Sequence, residues 1–424
     1  MRNNGVIREK RGKSNFAKCE NPERNALFGA EQPADAGGKP RQSQMGIGSD
    51  FQTLPREKTK LRFRCGAVCR RLTRKEGPPY NENSFVSILR LFDLASNPMH
   101  QTRPDHLEEF IRSLVCECRG VYAPDFDRVK RSVGYAEEDL RRYLGTYYPR
   151  SLLETYDIAS ELFRKIFGTE VRTDGELKIL DLGCGLGGAS AGLLFAVLER
   201  FGVRKVSVDG FDANEASLRT FERILASESF ALARAELRRL EAPGAQAEVV
   251  VRLKRARIDS ERFDLLGDES RYDVILTSKM LNELPVERKY FRFLETYLPH
   301  LAQNGLCFVI DVNDRREGRY ISQRLSEETL AFLGRHDGFE CLLPPGCRDC
   351  AKRGLPCGGF NQFVCRESNF DRLNPLAARG VSKVCCRVFC RSPLYRHFRP
   401  KLTRFDFLAS EAGGNHVYCP RLHS

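Results

Sequence analysis

The chain has 424 residues, 16 cysteines and no tryptophan, with 69 Lys and Arg against 56 Asp and Glu, a net charge of +13. That length can bury a large core without disulfides, and no run of about 18 or more apolar residues is present to span a membrane. The N-terminus lacks the apolar stretch of a secretory signal, so reduced thiols, some of them binding metal, fit better than a disulfide scaffold.

Residues 1–80 carry 18 Lys and Arg but only 8 Asp and Glu, and therefore +10 of the total charge. With many Gly, Asn, Gln and Pro and little apolar periodicity, they read as a disordered basic tail, either a solvated extension or an arm for nucleic acid. Cys65 and Cys69 have no second pair nearby, which argues against a metal site there. Residues 81–170 read as a helical domain. Its apolar stripes are Phe85 to Phe92, Leu107 to Val115, Leu140 to Tyr147 (stopped before Pro149) and Leu152 to Ile166.

From Leu177 the pattern alternates strand and helix. Strands are expected at 177–182, 203–211, 249–253, 272–277 and 306–311, with helices at 189–201, 216–226 and 287–302. This alternation predicts a parallel sheet with helices on both faces over residues 171–340. Residues 341–424 hold nine of the cysteines and read as a cysteine-rich extension. There Arg387, Arg391, Arg396, Arg399, Lys401 and Arg404 alternate with Tyr395, Phe398, Phe405 and Phe407, a pattern suited to RNA.

The first strand runs Ile179-Leu180-Asp181-Leu182 into Gly183-Cys184-Gly185-Leu186-Gly187-Gly188. Glycines at this turn let the backbone approach a ligand closely, and the following helix aims N–H groups at it. A dinucleotide fold would usually read G-x-G-x-x-G. Here Asp181 precedes the first glycine, as in motif I of S-adenosylmethionine (SAM)-dependent methyltransferases, where an acid can balance the methionine ammonium. Asp212, ending the second strand, is the candidate acceptor for ribose hydroxyls and is preferred to Asp209; its alternative role is helix capping. Ser278, ending the fourth strand, joins Asp181, Gly183, Gly185, Gly187 and Asp212 as a cofactor candidate. Asn282 and Glu283, just beyond it, are weak candidates for orienting an acceptor or taking a proton, and otherwise cap a helix or line the cofactor.

Across residues 137–422 the chain resembles the mitochondrial small-ribosomal-subunit assembly methyltransferase-like family and its bacterial relatives. Three segments carry the likeness: Tyr143-Leu144-Gly145-Thr146-Tyr147-Tyr148-Pro149, the turn Leu180–Gly187, and Ser278-Lys279-Met280-Leu281-Asn282-Glu283-Leu284. The stretch from Asp311 through Gly318 to Leu325 is a looser match. The resemblance implies a class I SAM-dependent methyltransferase (Rossmann-like) sheet with an N-terminal helical domain and a C-terminal cysteine-rich metal-binding extension. It also implies a four-iron, four-sulfur cluster on Cys350, Cys357, Cys365 and Cys419, with zinc as the alternative metal. One residue is inserted between the first two ligands relative to the family, so Cys347 stands as an alternative to Cys350. Cys341, Cys385, Cys386 and Cys390 are left as small buried hydrophobes.

The expected function is a SAM-binding methyltransferase, or a methyltransferase-like factor, acting on small-subunit ribosomal RNA. Its expected compartment is the bacterial cytoplasm or, alternatively, the mitochondrial matrix. The competing readings are a small-molecule or protein methyltransferase with a structural metal site, and a non-enzymatic RNA scaffold. Intact glycines and Asp181 speak against the scaffold.

Overall fold

A computed structural model describes residues 105–123, 135–167, 171–172, 175–258, 264–267, 270–316, 318–354, 363–366 and 381–401. The basic segment 1–80, the stripe from Phe85, Cys357 and Cys419 lie outside these residues, and only the backbone of Cys365 is described.

β1 (Glu176–Leu182) lies between two parallel neighbours and is covered on both faces, so Ile179, Leu180 and Leu182 are inaccessible to solvent. β2 (Lys205–Asp212) and β3 (Glu248–Arg255) extend the sheet in parallel on one side. β4 (Tyr272–Ser278) and β5 (Leu301–Val312) extend it in parallel on the other. β5 begins five residues earlier than the expected Leu306, because Pro299 closes the preceding helix and Leu301 pairs with Tyr272.

The sheet then continues into residues expected to form the extension. β6 (Phe339–Leu343), β7 (Phe363–Arg366) and β8 (Val381–Arg391) all belong to it. β8 runs antiparallel to β5, from Val384 opposite Val312 to Cys390 opposite Leu306; its outer side pairs with β6 along one half and β7 along the other. The path is β6-β8-β5-β4-β1-β2-β3. Five parallel strands, then a reversed strand, then an edge strand parallel to the first five make the class I SAM-dependent methyltransferase fold. A boundary at residue 340 would therefore cut through the sheet. Cys341, Cys385, Cys386 and Cys390 are buried in its strands as small hydrophobes.

Four side chains read as an RNA surface face inward instead. Arg387 is fully buried on β8 and donates to Ser326 Oγ at 2.5 Å. Arg391 donates to the Leu301 and Pro299 carbonyls. Tyr395 and Phe398 are buried, and the Tyr395 hydroxyl accepts from Gly346 N–H at 3.0 Å.

The helices before the sheet share its core. These are α1 (Asp105–Glu117), α2 (Glu137–Thr146) and α3 (Tyr148–Phe167), where Pro149 sits in the first turn and its missing N–H costs nothing. α4 (Gly188–Arg200) is apolar around almost its whole circumference because it is sandwiched between the sheet and α3. The two helices meet so closely that a Cβ on Gly192 would lie 2.2 Å from the Leu152 carbonyl oxygen. Phe110, Phe163, Phe195 and Phe308 belong to one continuous cluster, so these helices form a layer on the sheet. Glu199 of α4 ties the layer together, meeting His106 of α1 at 3.0 Å and accepting from the Tyr156 hydroxyl of α3 at 2.5 Å.

α5 (Glu215–Leu225) and α6 (Glu228–Arg239) follow β2. The Glu117 carboxylate at the end of α1 accepts from the N–H groups of Glu228 and Ser229 at the start of α6. α7 (Lys289–Tyr297) and α8 (Ile321–Leu333) bracket β5, and the short α9 (Cys347–Lys352) and α10 (Ser392–Phe398) complete the described helices. Among the described residues no helix is long and apolar enough to cross a membrane.

Candidate cofactor site

The chain path turns at β1, with β2 on one side and β4 on the other, so the carboxyl ends of these three strands frame a crevice where such sheets bind ligands. The turn after β1 has three glycines in the left-handed region: Gly183 (φ 75°), Gly185 (φ 52°) and Gly187 (φ 80°). Their surroundings differ. A Cβ on Gly183 would meet Met280 at 2.5 Å and one on Gly187 would enter the Phe221 ring at 2.1 Å, whereas a Cβ on Gly185 would meet nothing within 4 Å. Gly183 and Gly187 are therefore required by packing. Gly185 faces open space, where a ligand can reach the backbone.

Two carboxylates flank the turn. Asp181 is fully buried; Ser190 Oγ donates to its Oδ2 at 2.5 Å, and its Oδ1 has no hydrogen-bond partner. Burial pushes its carboxyl up to about 7, against the opposing bond from Ser190, and the nearby Asp212 adds to the rise. Asp212 accepts from Gly185 N–H at 2.9 Å through Oδ2 and from Asn214 N–H at 2.8 Å through Oδ1. Burial raises its pKa against those backbone bonds. With the Ala213 N–H as a third backbone donor, the carboxylate keeps one acceptor position for a hydroxyl donor. Helix capping is not its role: Asn214 caps α5, its side chain accepting from Ser217 N–H at 3.0 Å. Asp209 points elsewhere, paired with Arg252 at 2.6 Å and Tyr272 at 3.0 Å. Cys184 in the turn is a buried thiol, packed against Leu218 and Phe221 and pushed up by burial.

The third side is the segment after β4. Ser278 Oγ is buried without a hydrogen-bond partner, one residue past the Thr277 that pairs with Leu182. Lys279 is left-handed (φ 62°), a strained state for a side-chain-bearing residue. Its Nζ lies 2.5 Å from Glu154 of α3 and 3.4 Å from Ser151 Oγ. Asn282 is locked by Asp311 at the end of β5. Its Nδ2 donates to Asp311 Oδ1 at 2.5 Å and to the Lys279 carbonyl at 2.6 Å, and its backbone N–H donates to Asp311 Oδ2 at 3.1 Å. Both Nδ2 partners only accept, which fixes the amide orientation and leaves Oδ1 buried without a donor. Glu283 is half-buried in the short 3₁₀ turn Leu281–Glu283.

The candidates Asp181, Gly183, Gly185, Gly187, Asp212 and Ser278 thus lie at the adjoining carboxyl ends of β1, β2 and β4, and Asn282 and Glu283 follow in the segment after β4. Sequence reading missed Ser151 and Glu154, which reach the site from α3. Ser151 directly precedes an apolar helical stripe and Glu154 lies within it, and nothing local distinguishes a helix that covers a sheet edge from one that packs elsewhere. SAM fits this crevice on three observations: the unpartnered Asp181 oxygen suits an ammonium, Asp212 retains acceptor capacity for a ribose hydroxyl, and the Gly185 backbone stands open.

Of the proposed metal ligands only Cys347 and Cys350 have described side chains, Cys357 and Cys419 lying outside the described residues; among the described residues no group of three or more His, Cys, Asp or Glu could hold a metal. The two alternatives for the first ligand do differ. Cys347 is buried, donates weakly to the Pro344 carbonyl at 3.4 Å, and is pushed up by its hydrogen bond with Cys341 and by burial, all of which oppose the thiolate a metal requires. Cys350, one turn on, is only partly buried.

No protein-family model matches the chain, and no curated protein matches it. Solved structures do. The plantazolicin methyltransferase BpumL, in complex with S-adenosylhomocysteine (SAH), is similar at 15% identity over 68% of this chain and 96% of its own, with a TM-score of 0.33. The N-methyltransferase NodS from Bradyrhizobium japonicum, also with SAH, is similar at 12% identity over 63% of this chain and 98% of its own, with a TM-score of 0.33. A TehB-like SAM-dependent methyltransferase from Corynebacterium glutamicum is similar at 15% identity over 56% of this chain and 88% of its own, with a TM-score of 0.27. The strand order and the reversed β8, not these scores, define the fold.

Proposed function

We propose that the chain is a SAM-dependent methyltransferase acting on RNA of the small ribosomal subunit. The observation that carries the methyltransferase reading is the glycine turn itself: an open Gly185 tied to Asp212, beside a buried Asp181 with one oxygen unpartnered. When bound, the cofactor supplies a methyl group on a positively charged sulfonium. The chain's own residues bind and orient. Asp181 holds the ammonium, Asp212 a ribose hydroxyl, and the backbone of the turn accepts close approach. The Asn282–Asp311 lock holds the rim where an acceptor would enter, and positioning with exclusion of water is the main contribution such a site makes.

The RNA reading rests on the resemblance and on charge. A hairpin of Arg315–Arg316 and Arg319–Tyr320 follows β5, on the same edge of the sheet as the crevice, and Arg315, Arg319 and Tyr320 are exposed. Arginines pair with phosphates and an exposed tyrosine stacks on an unpaired base. The described surface favoured for RNA is therefore this hairpin rather than Arg387 and Arg391, and the charge of the segment 1–80 is a separate support for the reading. The proposal includes a four-thiolate centre on Cys350, Cys357, Cys365 and Cys419, a donor set suited to an iron–sulfur cluster or zinc.

Calorimetric titration of the full chain with SAM tests the cofactor, and absence of binding overturns the methyltransferase reading. Transfer of labelled methyl from SAM to isolated small subunits tests the acceptor. Label in RNA supports the proposal; label only in protein or in small molecules moves the chain to the competing methyltransferase class. Protein purified without oxygen is expected to contain iron and sulfide that Cys365→Ser removes. Stoichiometric zinc would change the metal, and absence of both would end the metal proposal.

A further inference from the structure

Arg112, Arg219, Arg239 and Arg319 are exposed, and each pairs with a glutamate at 2.6–3.4 Å. Arg288 and Arg335 are exposed too, but neither has a carboxylate within ion-pair distance among the described residues. Both guanidinium groups instead lie over the ring of Phe291, in the first turn of α7, with their carbons 4.1 Å (Arg288) and 5.3 Å (Arg335) from its centre. The ring is 4% exposed and is held from within by Phe332 at 6.0 Å and His336 at 6.3 Å. The face of an aromatic ring attracts a cation. One fixed ring therefore keeps two like charges together at the surface.

Arg288 reaches that ring from a strained backbone. It is left-handed (φ 47°, ψ 41°), a region that glycine enters freely and an arginine rarely. Such strain persists where the surroundings over-determine it, and it gathers at functional positions. Here the neighbours on both sides are fixed. Lys289 Nζ donates to the Asn282 and Leu284 carbonyls at 2.9 Å each, which ties the start of α7 to the segment after β4. Glu328 of α8 accepts from Phe291 N–H at 2.9 Å, so the carboxylate that acts on Arg288 through space is committed to capping α7.

The pair also continues the arginine hairpin. Arg319 meets Glu327 of α8 at 3.4 Å, the next residue, Glu328, holds the start of α7, and Arg335 lies just past the end of α8. α8 thus runs from the hairpin to Arg335, a length of about 20 Å at 1.5 Å per residue.

We propose that Arg288 and Arg335 form a clamp for RNA phosphates, with Phe291 as its shared seat, extending the hairpin surface along α8. This rests on the RNA part of the proposed function and adds a second, separate contact to it. Guanidinium groups free of carboxylates offer paired N–H donors to phosphate oxygens. Because the ring orders them beforehand, less side-chain freedom is lost when the RNA binds.

The test measures the affinity of the full chain for isolated small-subunit RNA over a range of salt. Arg288→Gln combined with Arg335→Gln keeps polar side chains and removes both charges. The slope of log affinity against log salt is expected to fall by about 1.4, for two lost single-strand phosphate contacts. Arg288→Lys combined with Arg335→Lys keeps the charges and is expected to keep the slope. A thermal melt checks folding; should the double glutamine variant not fold, Arg335→Gln alone is expected to lower the slope by about 0.7. A wild-type slope in a folded glutamine variant, or an equal fall in the lysine variant, overturns the clamp and leaves the hairpin reading intact. Wild-type protein that does not bind small-subunit RNA overturns the RNA reading and the clamp together.

Discussion

Adding one methyl group at Gly185 and at Gly187 separates ligand binding from folding. Both residues are left-handed, so an alanine at either costs about 1–2 kcal/mol of backbone strain. At Gly187 the new Cβ also lies 2.1 Å from a carbon of the Phe221 ring, which is 1% exposed and cannot move into solvent. Overpacking of this kind adds about 1–3 kcal/mol, so Gly187→Ala should lose roughly 2–5 kcal/mol. At Gly185 nothing lies within 4 Å, so strain is the whole cost. For a domain of this size, about 2–4 °C of melting temperature goes with each kcal/mol. Gly185→Ala should therefore melt about 2–8 °C below wild type and Gly187→Ala roughly 4–20 °C below. The order reverses for the ligand: Gly185→Ala fills the space the cofactor needs and should weaken SAM binding at least tenfold, about 1.4 kcal/mol. Thermal melts and calorimetric titration of the two variants decide it. Wild-type SAM affinity in a folded Gly185→Ala would refute the claim that the ligand approaches this turn.

Asp181 makes SAM binding depend on pH. Its carboxyl, pushed up to about 7 by burial, lies above its unfolded value of about 3.9, so its contribution to stability is present at low pH and is lost as pH rises from about 4 to about 7. A bound ammonium favours the ionised form, so SAM affinity should rise through the same interval, and Asp181→Asn should flatten that rise in titrations at pH 6 and pH 8. Removing Glu154 strands a half-buried lysine: Glu154→Gln should cost about 3 kcal/mol and lower the melting temperature by about 6–12 °C, and a variant melting with wild type would mean the Lys279–Glu154 pair holds nothing. Arg315→Glu combined with Arg319→Glu should weaken binding to small-subunit RNA and reduce the slope of log affinity against log salt by about 1.4, because each lost phosphate contact on a single strand removes about 0.7. An unchanged slope would place the RNA surface elsewhere.

Local sequence determined the parts of this protein whose physics is local. The run Ile179–Leu182 followed by Gly183, Gly185 and Gly187 is a buried strand ending in a turn that side-chain-bearing residues rarely enter, and it lies where its pattern predicts. Asp212 and Ser278 follow from it, because parallel strands place their carboxyl ends on one edge. What required the tertiary structure was the destination of residues whose local pattern fits more than one environment. Val-Ser-Lys-Val-Cys-Cys-Arg-Val-Phe-Cys-Arg reads as part of a metal-binding segment until its pairing with β5 buries it in the sheet. Arg387 reads as a contact for phosphate until the turn of the strand puts it under α8, bonded to Ser326. Ser151 and Glu154 read as part of one more helix, and only the packing of α3 on α4, so close that Gly192 has no room for a Cβ, brings Ser151 against Gly188 and Glu154 against Lys279. A side chain's local spacing sets which face of its element it occupies. What lies against that face depends on contacts between residues tens or hundreds of positions apart, and these form only when the whole chain folds.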